Sequence, residues 1–405
     1  MTYKTKRLKI KQILLTNNSW WNFFEKYKDI LRKDVIIAIT KLLSCKHKIR
    51  GFHEYSCLTP GCSHLKHVLF TCKSKACSSC GKKSTELWIN KQYEVLPDTS
   101  YVHITLTMPS QLWEFFWSNR WLLNKIHGLA AKCLQKITKE LGVMTGIFIA
   151  MHTFGRNLKR NVHLHISTTT QGITIDGLEL KEIEFKHNKL MPLWRKEIIR
   201  LFRKASLDAD FVIPEIIKKT LSQTFTLDNL LDKLSKKSWI VDCPKPQKNH
   251  KHIVKYLGSY MKRPPIPESK LRNDGDDHIS FTYLDHKTKT YKDSSLTVEG
   301  FIQKFIDHIP DVGFRMVRYY GFLSNRLRSK LLPKVYHLLG QTIKYENLVN
   351  QPTYAQLLFK DFGVNPLECI LCGAELRLTG SVFGKTSAFE LVRHHRQLSL
   401  LKKII

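Results

Sequence analysis

A cluster of cysteines constrains the N-terminal part of this chain more than any other feature of the sequence. Five of the ten cysteines follow the pattern Cys57-x4-Cys62 and Cys72-x4-Cys77-x2-Cys80. Such short spacings are typical of thiolates that close a tetrahedral zinc site. We therefore predict bound Zn²⁺, with ligands drawn from His53, Cys57, Cys62, Cys72, Cys77 and Cys80. The minimal set is Cys57, Cys62, Cys77 and Cys80, and the number of ions stays open.

The same cysteines would form disulfides in a secreted protein. The basic N-terminal stretch, however, lacks the apolar core of a signal peptide, so reduced thiolates are the expected state. No run of the sequence approaches the roughly eighteen apolar residues that span a membrane. We therefore expect a cytoplasmic protein without a membrane partner.

The charge of the chain points to a polyanionic partner. Lys and Arg number 66 against 34 Asp and Glu, which gives a formal net charge of +32 spread along the whole length. A field of this sign attracts nucleic acid and supports salt-dependent binding that ignores sequence.

A predicted β-hairpin brings three histidines together. Residues 146–154 and 162–168 read as strands, and the polar segment between them reads as a turn. His163 and His165 are two apart on a strand and share a face, while His152 is expected opposite His163. Three imidazoles placed in this way can hold a divalent cation. The alternative, half-buried strand histidines without a metal, stays open.

Two tyrosines lie on one face of a predicted helix. The helix spans residues 250–262 and is ended by prolines, and Tyr256 and Tyr260 are four residues apart on it. An aromatic stripe packed against the core is the alternative. Against it stand Gly258, which would allow a backbone or nucleotide to approach, and the surrounding basic residues, Lys251, Lys255, Lys262 and Arg263. These four are our predicted DNA contacts.

Three regions follow along the chain. Residues 1–95 combine a helix over residues 19–44 with the Cys-rich module, residues 96–330 hold the His and Tyr motifs, and residues 331–405 look mostly helical. An isolated Cys369-Ile-Leu-Cys372 is half of a metal site. Either His394 and His395 complete it or it is a leftover loop.

Several segments carry a family resemblance in their order and spacing. They are TCKSKACSSCGKKSTELW, VHITLTMPSQLW, MHTFGRNLKRNVHLHIS, KYLGSYMKRPPI, FIQKFIDHIPDVGFRMVRYYGFL and CILCG. Together they resemble the two-tyrosine HUH transposases of rolling-circle insertion sequences, of the insertion sequence 91 type. Members often have His where this chain has Asn161, a position that precedes the motif proper.

The resemblance implies an α+β fold whose HUH endonuclease core is a central antiparallel sheet flanked by helices. It implies that His163 and His165 carry Mg²⁺ or Mn²⁺, with His152 as our inferred third ligand, and that Tyr256 and Tyr260 are the nucleophiles. The expected partner is single-stranded DNA of transposon ends and targets, nicked and rejoined through 5′-phosphotyrosine in a bacterial, nucleoid-associated setting. Because no GxxxxGK[ST] phosphate loop occurs, a host helicase or replication machinery would displace the strands.

Two alternatives remain beside this interpretation. One is a plasmid rolling-circle initiator or relaxase, which uses the same chemistry on an origin. The other is a catalytically inactive, zinc-dependent DNA-binding protein, in which the charge of the chain alone would explain binding.

Overall fold

The computed structural model describes residues 8–219, 226–247, 250–261, 264–275, 277–285, 288–342, 353, 355–356, 359, 363–385, 390–391 and 393–394. Lys262, Arg263 and His395, which the sequence analysis singled out, lie outside these residues. For Tyr260 the helical backbone is described but the side chain is not.

The helices in the described part of the chain are α1 (Ile10–Leu15), α2 (Ser19–Tyr27), α3 (Lys33–Leu43), α4 (Ser78–Val95), α5 (Trp113–Ser118), α6 (Leu123–Glu140), α7 (His187–Ala205), α8 (Glu215–Lys218), α9 (Leu227–Ser235), α10 (His250–Met261), α11 (Val298–Asp307) and α12 (Asn325–Leu338). The strands there are β1 (Gly51–Cys57), β2 (Leu65–Leu69), β3 (Tyr101–Leu106), β4 (Val143–Met144), β5 (Gly146–Phe154), β6 (Arg160–Thr169), β7 (Gln171–Thr174), β8 (Leu180–Glu182), β9 (Val241–Asp242), β10 (Leu271–Asn273), β11 (His278–Leu284), β12 (Tyr291–Thr297), β13 (Val317–Gly321) and β14 (Leu376–Phe383). The predicted α+β class is confirmed.

The chain divides into two compact units. The first comprises Met1–Leu87, Lys262–Val312 and Tyr345–Ile405, and the second comprises Trp88–Met261 and Gly313–Lys344. Segments distant in sequence therefore pack together in each unit. The domain bounds 1–95, 96–330 and 331–405 stay a prediction.

The second unit is built on a five-stranded antiparallel sheet with the order β13-β5-β6-β3-β9. Side chains alternate across its strands, so Val162, Leu164 and Ile166 of β6 enter one large apolar core with helices α5, α6, α7 and α9. The histidines between them face the opposite side of the sheet.

Helix α10 packs on that opposite side of the sheet. Ile253, Val254 and Leu257 are buried there together with Phe148 of β5 and Ile89 of α4. A Cβ atom on Gly258 would lie 2.6 Å from Ile89 Cγ1. We expected a backbone or a nucleotide to approach Gly258 closely; the group that does so is instead the Ile89 side chain of α4.

The first unit holds two three-stranded antiparallel sheets, β10-β11-β12 and β14-β1-β2, beside helices α1, α2, α3 and α11. The predicted single helix over residues 19–44 was wrong, because the chain turns between Tyr27 and Lys33 and forms α2 and α3. The hairpin of β1 and β2 and the strand β14 were not predicted. Most of their side chains are exposed or half-buried, so no apolar alternation marks them.

Helices long and apolar enough to cross a membrane do not occur among the residues that the structure describes.

Candidate active site

Three histidines converge in the half of the β5–β6 hairpin that lies nearer its turn. His152 pairs directly with His163, so the predicted register is confirmed, and Ala150 pairs with His165. The ring centroids are 5.3 Å apart for His152 and His163, 4.4 Å for His152 and His165, and 4.9 Å for His163 and His165. One nitrogen atom from each ring lies within 4.8 Å of the others.

Burial keeps the ring of His165 neutral, which suits a metal ligand. His152 and His165 are buried, and His163 is half-buried. Burial, aided by nearby His163 and His103, lowers the pKa of His165 to about 2. A neutral imidazole offers a nitrogen lone pair to a divalent ion, so the donor set fits the metal that the sequence predicted.

The Nδ1 atoms of two rings are held by hydrogen bonds. Nδ1 of His163 lies 3.0 Å from the carbonyl oxygen of Asn161, to which its N–H donates. Nδ1 of His165 lies 3.0 Å from Nε2 of His103 on β3. These contacts fix the orientations of the two rings.

His103 is a site residue that the sequence analysis missed. Burial lowers its pKa to about 4, an effect that the Asp242 carboxylate opposes, so its ring is neutral as well. Nothing near it in sequence marks it, since its partner is on a strand 62 residues away. The alternation of side chains along β3 could have indicated it, because His103 lies on the face of the sheet opposite to Val102 and Ile104.

Helix α10 brings Tyr256 to this group of rings. The Tyr256 ring centroid lies 5.3 Å from that of His103 and 6.3 Å from that of His165. Tyr256 remains 45% exposed, so a ligand on the surface can reach part of its side chain. Lys251 and Lys255 are exposed on the same helix, and Tyr260 follows Tyr256 by one helical turn.

Eight of the ten cysteines form two separate groups in the first unit. The Cys45 cluster consists of Cys45, Cys72, Cys77 and Cys80, all buried, and the Cys57 cluster consists of Cys57, Cys62, Cys369 and Cys372. The predicted minimal set is thus divided between two clusters. Cys45 was missed as a ligand because it stands alone in sequence before the β1–β2 hairpin. His53 lies outside both clusters, where its Nδ1 is 2.8 Å from Ser381 Oγ.

The Cys45 cluster has the dimensions of a zinc site. Its sulfur atoms lie 3.5 Å (Cys72 to Cys80) and 3.7 Å (Cys45 to Cys80 and Cys45 to Cys77) apart. Zn–S bonds of about 2.3 Å in a tetrahedron require sulfur separations of about 3.8 Å. Hydrogen bonds with Cys45, Cys72 and Cys77 hold the pKa of Cys80 far below its ordinary value, which favours a thiolate.

Comparisons with known proteins agree with this organisation. Residues 146–330 match the family described as "Putative transposase", and residues 15–108 match the family "Transposase zinc-binding domain". The "Transposase for insertion sequence element IS801" of Pseudomonas savastanoi pv. phaseolicola is 34% identical over 383 residues, 93% of this chain and 90% of the relative. "Putative transposase y4qJ" of Sinorhizobium fredii (strain NBRC 101917 / NGR234) is 25% identical over 362 residues, 85% of this chain and 89% of the relative. No solved structure matches the chain.

A zinc-binding head and a transposase region built on the central sheet define the class: a DNA-cleaving transposase of an insertion sequence. The match to the IS801 transposase defines the family more narrowly, because it is 34% identical over 93% of this chain and 90% of the relative. The chain belongs to the insertion sequence 91 family of transposases, as the resemblance in the sequence predicted.

Proposed function

We propose that this transposase nicks and rejoins single-stranded DNA at transposon ends through 5′-phosphotyrosine intermediates, in rolling-circle transposition. The observation that carries the proposal is the position of Tyr256, whose ring lies 5.3 Å and 6.3 Å from those of His103 and His165. An exposed phenol beside the neutral imidazoles of His103 and His165 supports a site at which Tyr256 would be the nucleophile and histidines would hold the metal.

His152, His163 and His165 would hold the divalent ion. When bound, the ion polarises the phosphodiester and neutralises charge that develops on its oxygens. Of the two ions expected, three imidazoles favour Mn²⁺ over Mg²⁺, since Mg²⁺ prefers oxygen ligands. His103 acts on the site through His165 and is a positioning residue.

In the proposed reaction, the Tyr256 oxygen forms a bond to phosphorus and its proton passes to solvent. The bond from phosphorus to the 3′ oxygen breaks, and this oxygen takes up a proton to give a free 3′ hydroxyl. Attack by another 3′ hydroxyl on the phosphotyrosine reverses these steps and joins strands without ATP. Tyr260 would provide a second nucleophile while Tyr256 is occupied.

The remaining parts of the proposal concern DNA. Lys251 and Lys255 are exposed on the helix that carries Tyr256, so they would contact phosphates of the bound strand, as would Lys262 and Arg263. The zinc-binding head would contribute further DNA contacts. Strand displacement would fall to a host helicase, since the sequence has no phosphate loop.

A denaturing protein gel tests this function. Purified protein is incubated with labelled single-stranded DNA that carries the element's ends, with Mn²⁺, Mg²⁺ or EDTA. We expect a labelled, slower band with Mn²⁺ that EDTA abolishes and that Tyr256→Phe/Tyr260→Phe lacks. Tyr291→Phe, at an exposed tyrosine of β12 in the other unit, should keep the band. An adduct that survives the double substitution would rule out these nucleophiles. Binding without any adduct would favour the inactive DNA-binding alternative.

A further inference from the structure

The Cys57 cluster joins parts of the chain that are more than 300 residues apart. Cys57 is the last residue of β1, and Cys62 lies in the turn before β2, whereas Cys369 and Cys372 precede β14. We propose that these four thiolates bind a second Zn²⁺ ion, which fastens the C-terminal strand β14 to the N-terminal zinc-binding head. The matched zinc-binding family covers residues 15–108 and so includes only half of these ligands.

The sulfur positions suit a metal better than disulfides. Cys57 Sγ lies 3.4 Å from Cys372 Sγ, Cys62 Sγ lies 3.6 Å from Cys369 Sγ, and all four sulfurs are within 4.8 Å of one another. A tetrahedral zinc site needs separations of about 3.8 Å between every pair of sulfurs. A disulfide needs about 2.05 Å and brings together two sulfurs rather than four.

Two tight turns present the sulfurs in pairs. In the first, the Cys62 N–H donates to the carbonyl oxygen of Thr59 at 3.0 Å. In the second, the Cys369 N–H donates to the carbonyl oxygen of Ala374 at 2.7 Å, and Gly373 takes the left-handed φ of +73° that this turn requires. Two cysteine turns facing each other are the usual construction of a structural zinc site.

A histidine supports the cluster from outside. Nδ1 of His64 lies 3.1 Å from Cys369 Sγ, where an N–H donor stabilises a thiolate. Its role here is that of a hydrogen-bond donor, because the four sulfurs already complete a tetrahedral shell.

Apolar packing around β14 is small, although the strand pairs with β1 along its length. The buried residues that pack together at this end of β14 are Cys57, Cys369 and Leu376. Farther along β14, Leu378, Val382 and Phe383 are each more than half exposed. A small sheet that lacks a core commonly depends on a structural metal, whose binding free energy becomes folding free energy. Zinc bound at the Cys57 cluster would supply folding free energy that the small apolar contact does not.

Zinc content of the full-length protein tests the proposal. We expect two zinc ions per chain after exhaustive dialysis, one in Cys369→Ser/Cys372→Ser, and one in Cys72→Ser/Cys80→Ser. Cys133→Ser/Cys243→Ser, at cysteines outside both clusters, should retain two. Two zinc ions in Cys369→Ser/Cys372→Ser would overturn the proposal, as would one ion in the wild type that only the Cys45 cluster requires.

A measurement on the wild-type protein does not depend on how the variants fold. Cys372 is exposed, so burial cannot protect it from an alkylating reagent, whereas a bond to zinc can. Peptide mass spectrometry should find Cys372 unmodified in the protein as purified and alkylated after a zinc chelator is added. Rapid alkylation before chelation, or disulfide-linked peptides containing Cys57 and Cys372, would contradict the proposal.

Discussion

Two imidazoles of the candidate site owe their orientation to neighbouring groups outside the proposed set of metal ligands. His163 donates through Nδ1 to a backbone carbonyl, and His165 meets His103 through Nδ1. With the proposed metal ion at Nε2, the buried His165 would carry its proton on Nδ1 and donate it to His103. His103 thus determines the tautomer of a proposed ligand, and this role can be tested apart from its packing.

Replacing His103 should weaken the proposed metal site. In His103→Leu the Nδ1 proton of His165 loses its acceptor, and loss of such an outer partner commonly costs about 10- to 100-fold in metal affinity. We expect the Mn²⁺ concentration for half-maximal DNA nicking to rise by that factor, with nicking restored at high Mn²⁺. His103→Gln, whose amide oxygen can accept the proton, should need less Mn²⁺ than His103→Leu.

The control for this series is His187→Gln, at an exposed position at the start of α7. It should leave the Mn²⁺ dependence unchanged. Equal Mn²⁺ dependence of the wild type and His103→Leu would contradict a positioning role for His103.

At the scale of elements, the close packing of α10 on α4 holds Tyr256 beside the histidines. In Gly258→Val the new side chain meets Ile89, whose Cγ1 lies 2.6 Å from the added Cβ. Overpacking of this kind costs about 1–3 kcal/mol in the free energy of unfolding. Urea unfolding should detect this loss, and nicking should fall because α10 shifts.

Two further variants make this prediction specific. Gly128→Ala, on an exposed stretch of α6 where nothing lies within 4 Å of the added Cβ, should stabilise by up to about 1 kcal/mol. Ile89→Ala should recover part of the nicking lost in Gly258→Val. Wild-type stability of Gly258→Val would show that α10 does not depend on this contact.

Helix α6 carries a buried histidine whose protonation opposes folding. Burial lowers the pKa of His127 to about 4, with a further contribution from the Arg318 guanidinium, and the nearby backbone of Met316 and Leu123 opposes this shift. Between pH 6.5 and 4 the unfolded chain therefore binds a proton that the folded chain does not, and stability falls as the pH falls.

His127→Leu should remove this pH dependence. From pH 7 to pH 5, the free energy of unfolding of the wild type should fall by about 2 kcal/mol more than that of the variant. Urea unfolding at the two pH values measures the difference. Identical losses in both proteins would mean that His127 is protonated equally in the folded and unfolded chains.

The elements that sequence predicted best are those in which side-chain pattern alone determines the structure. Strand β5 follows from its apolar run, and its register with β6 follows from the polar turn between them, so three of the converging rings were predicted. His103 was missed because its contact with His165 depends on the pairing of β3 with β6 across the sheet. Gly258 was misread because a glycine in a helix does not reveal which neighbour approaches it.

At the scale of the whole molecule, long-range contacts set the limit of sequence reasoning. Cys369 and Cys372 were recognised as half of a site, but their partners lie more than 300 residues earlier. Only the pairing of β14 with β1 brings the two halves together. The spacing of the cysteines predicted zinc binding, which the matched zinc-binding family supports. It could not assign each cysteine to its cluster.

The charge of the whole chain predicts how DNA binding responds to salt. With a net charge of +32, binding to single-stranded DNA should depend strongly on counterion release. About five phosphate contacts would lower the affinity roughly 100-fold between 50 and 200 mM salt. Fluorescence anisotropy should give the same slope for the wild type and Tyr256→Phe. A flat response to salt would contradict an electrostatic origin of binding.

The residue that becomes linked to DNA tests the central claim most directly. After reaction with a single-stranded transposon end and Mn²⁺, the adduct is digested with nuclease and trypsin and sequenced by tandem mass spectrometry. We predict a nucleotide on the tryptic peptide from Tyr256 to Lys262, attached to the Tyr256 oxygen, and on Tyr260 of the same peptide in Tyr256→Phe. A metal-dependent nucleotide adduct on a residue outside α10 would contradict the account.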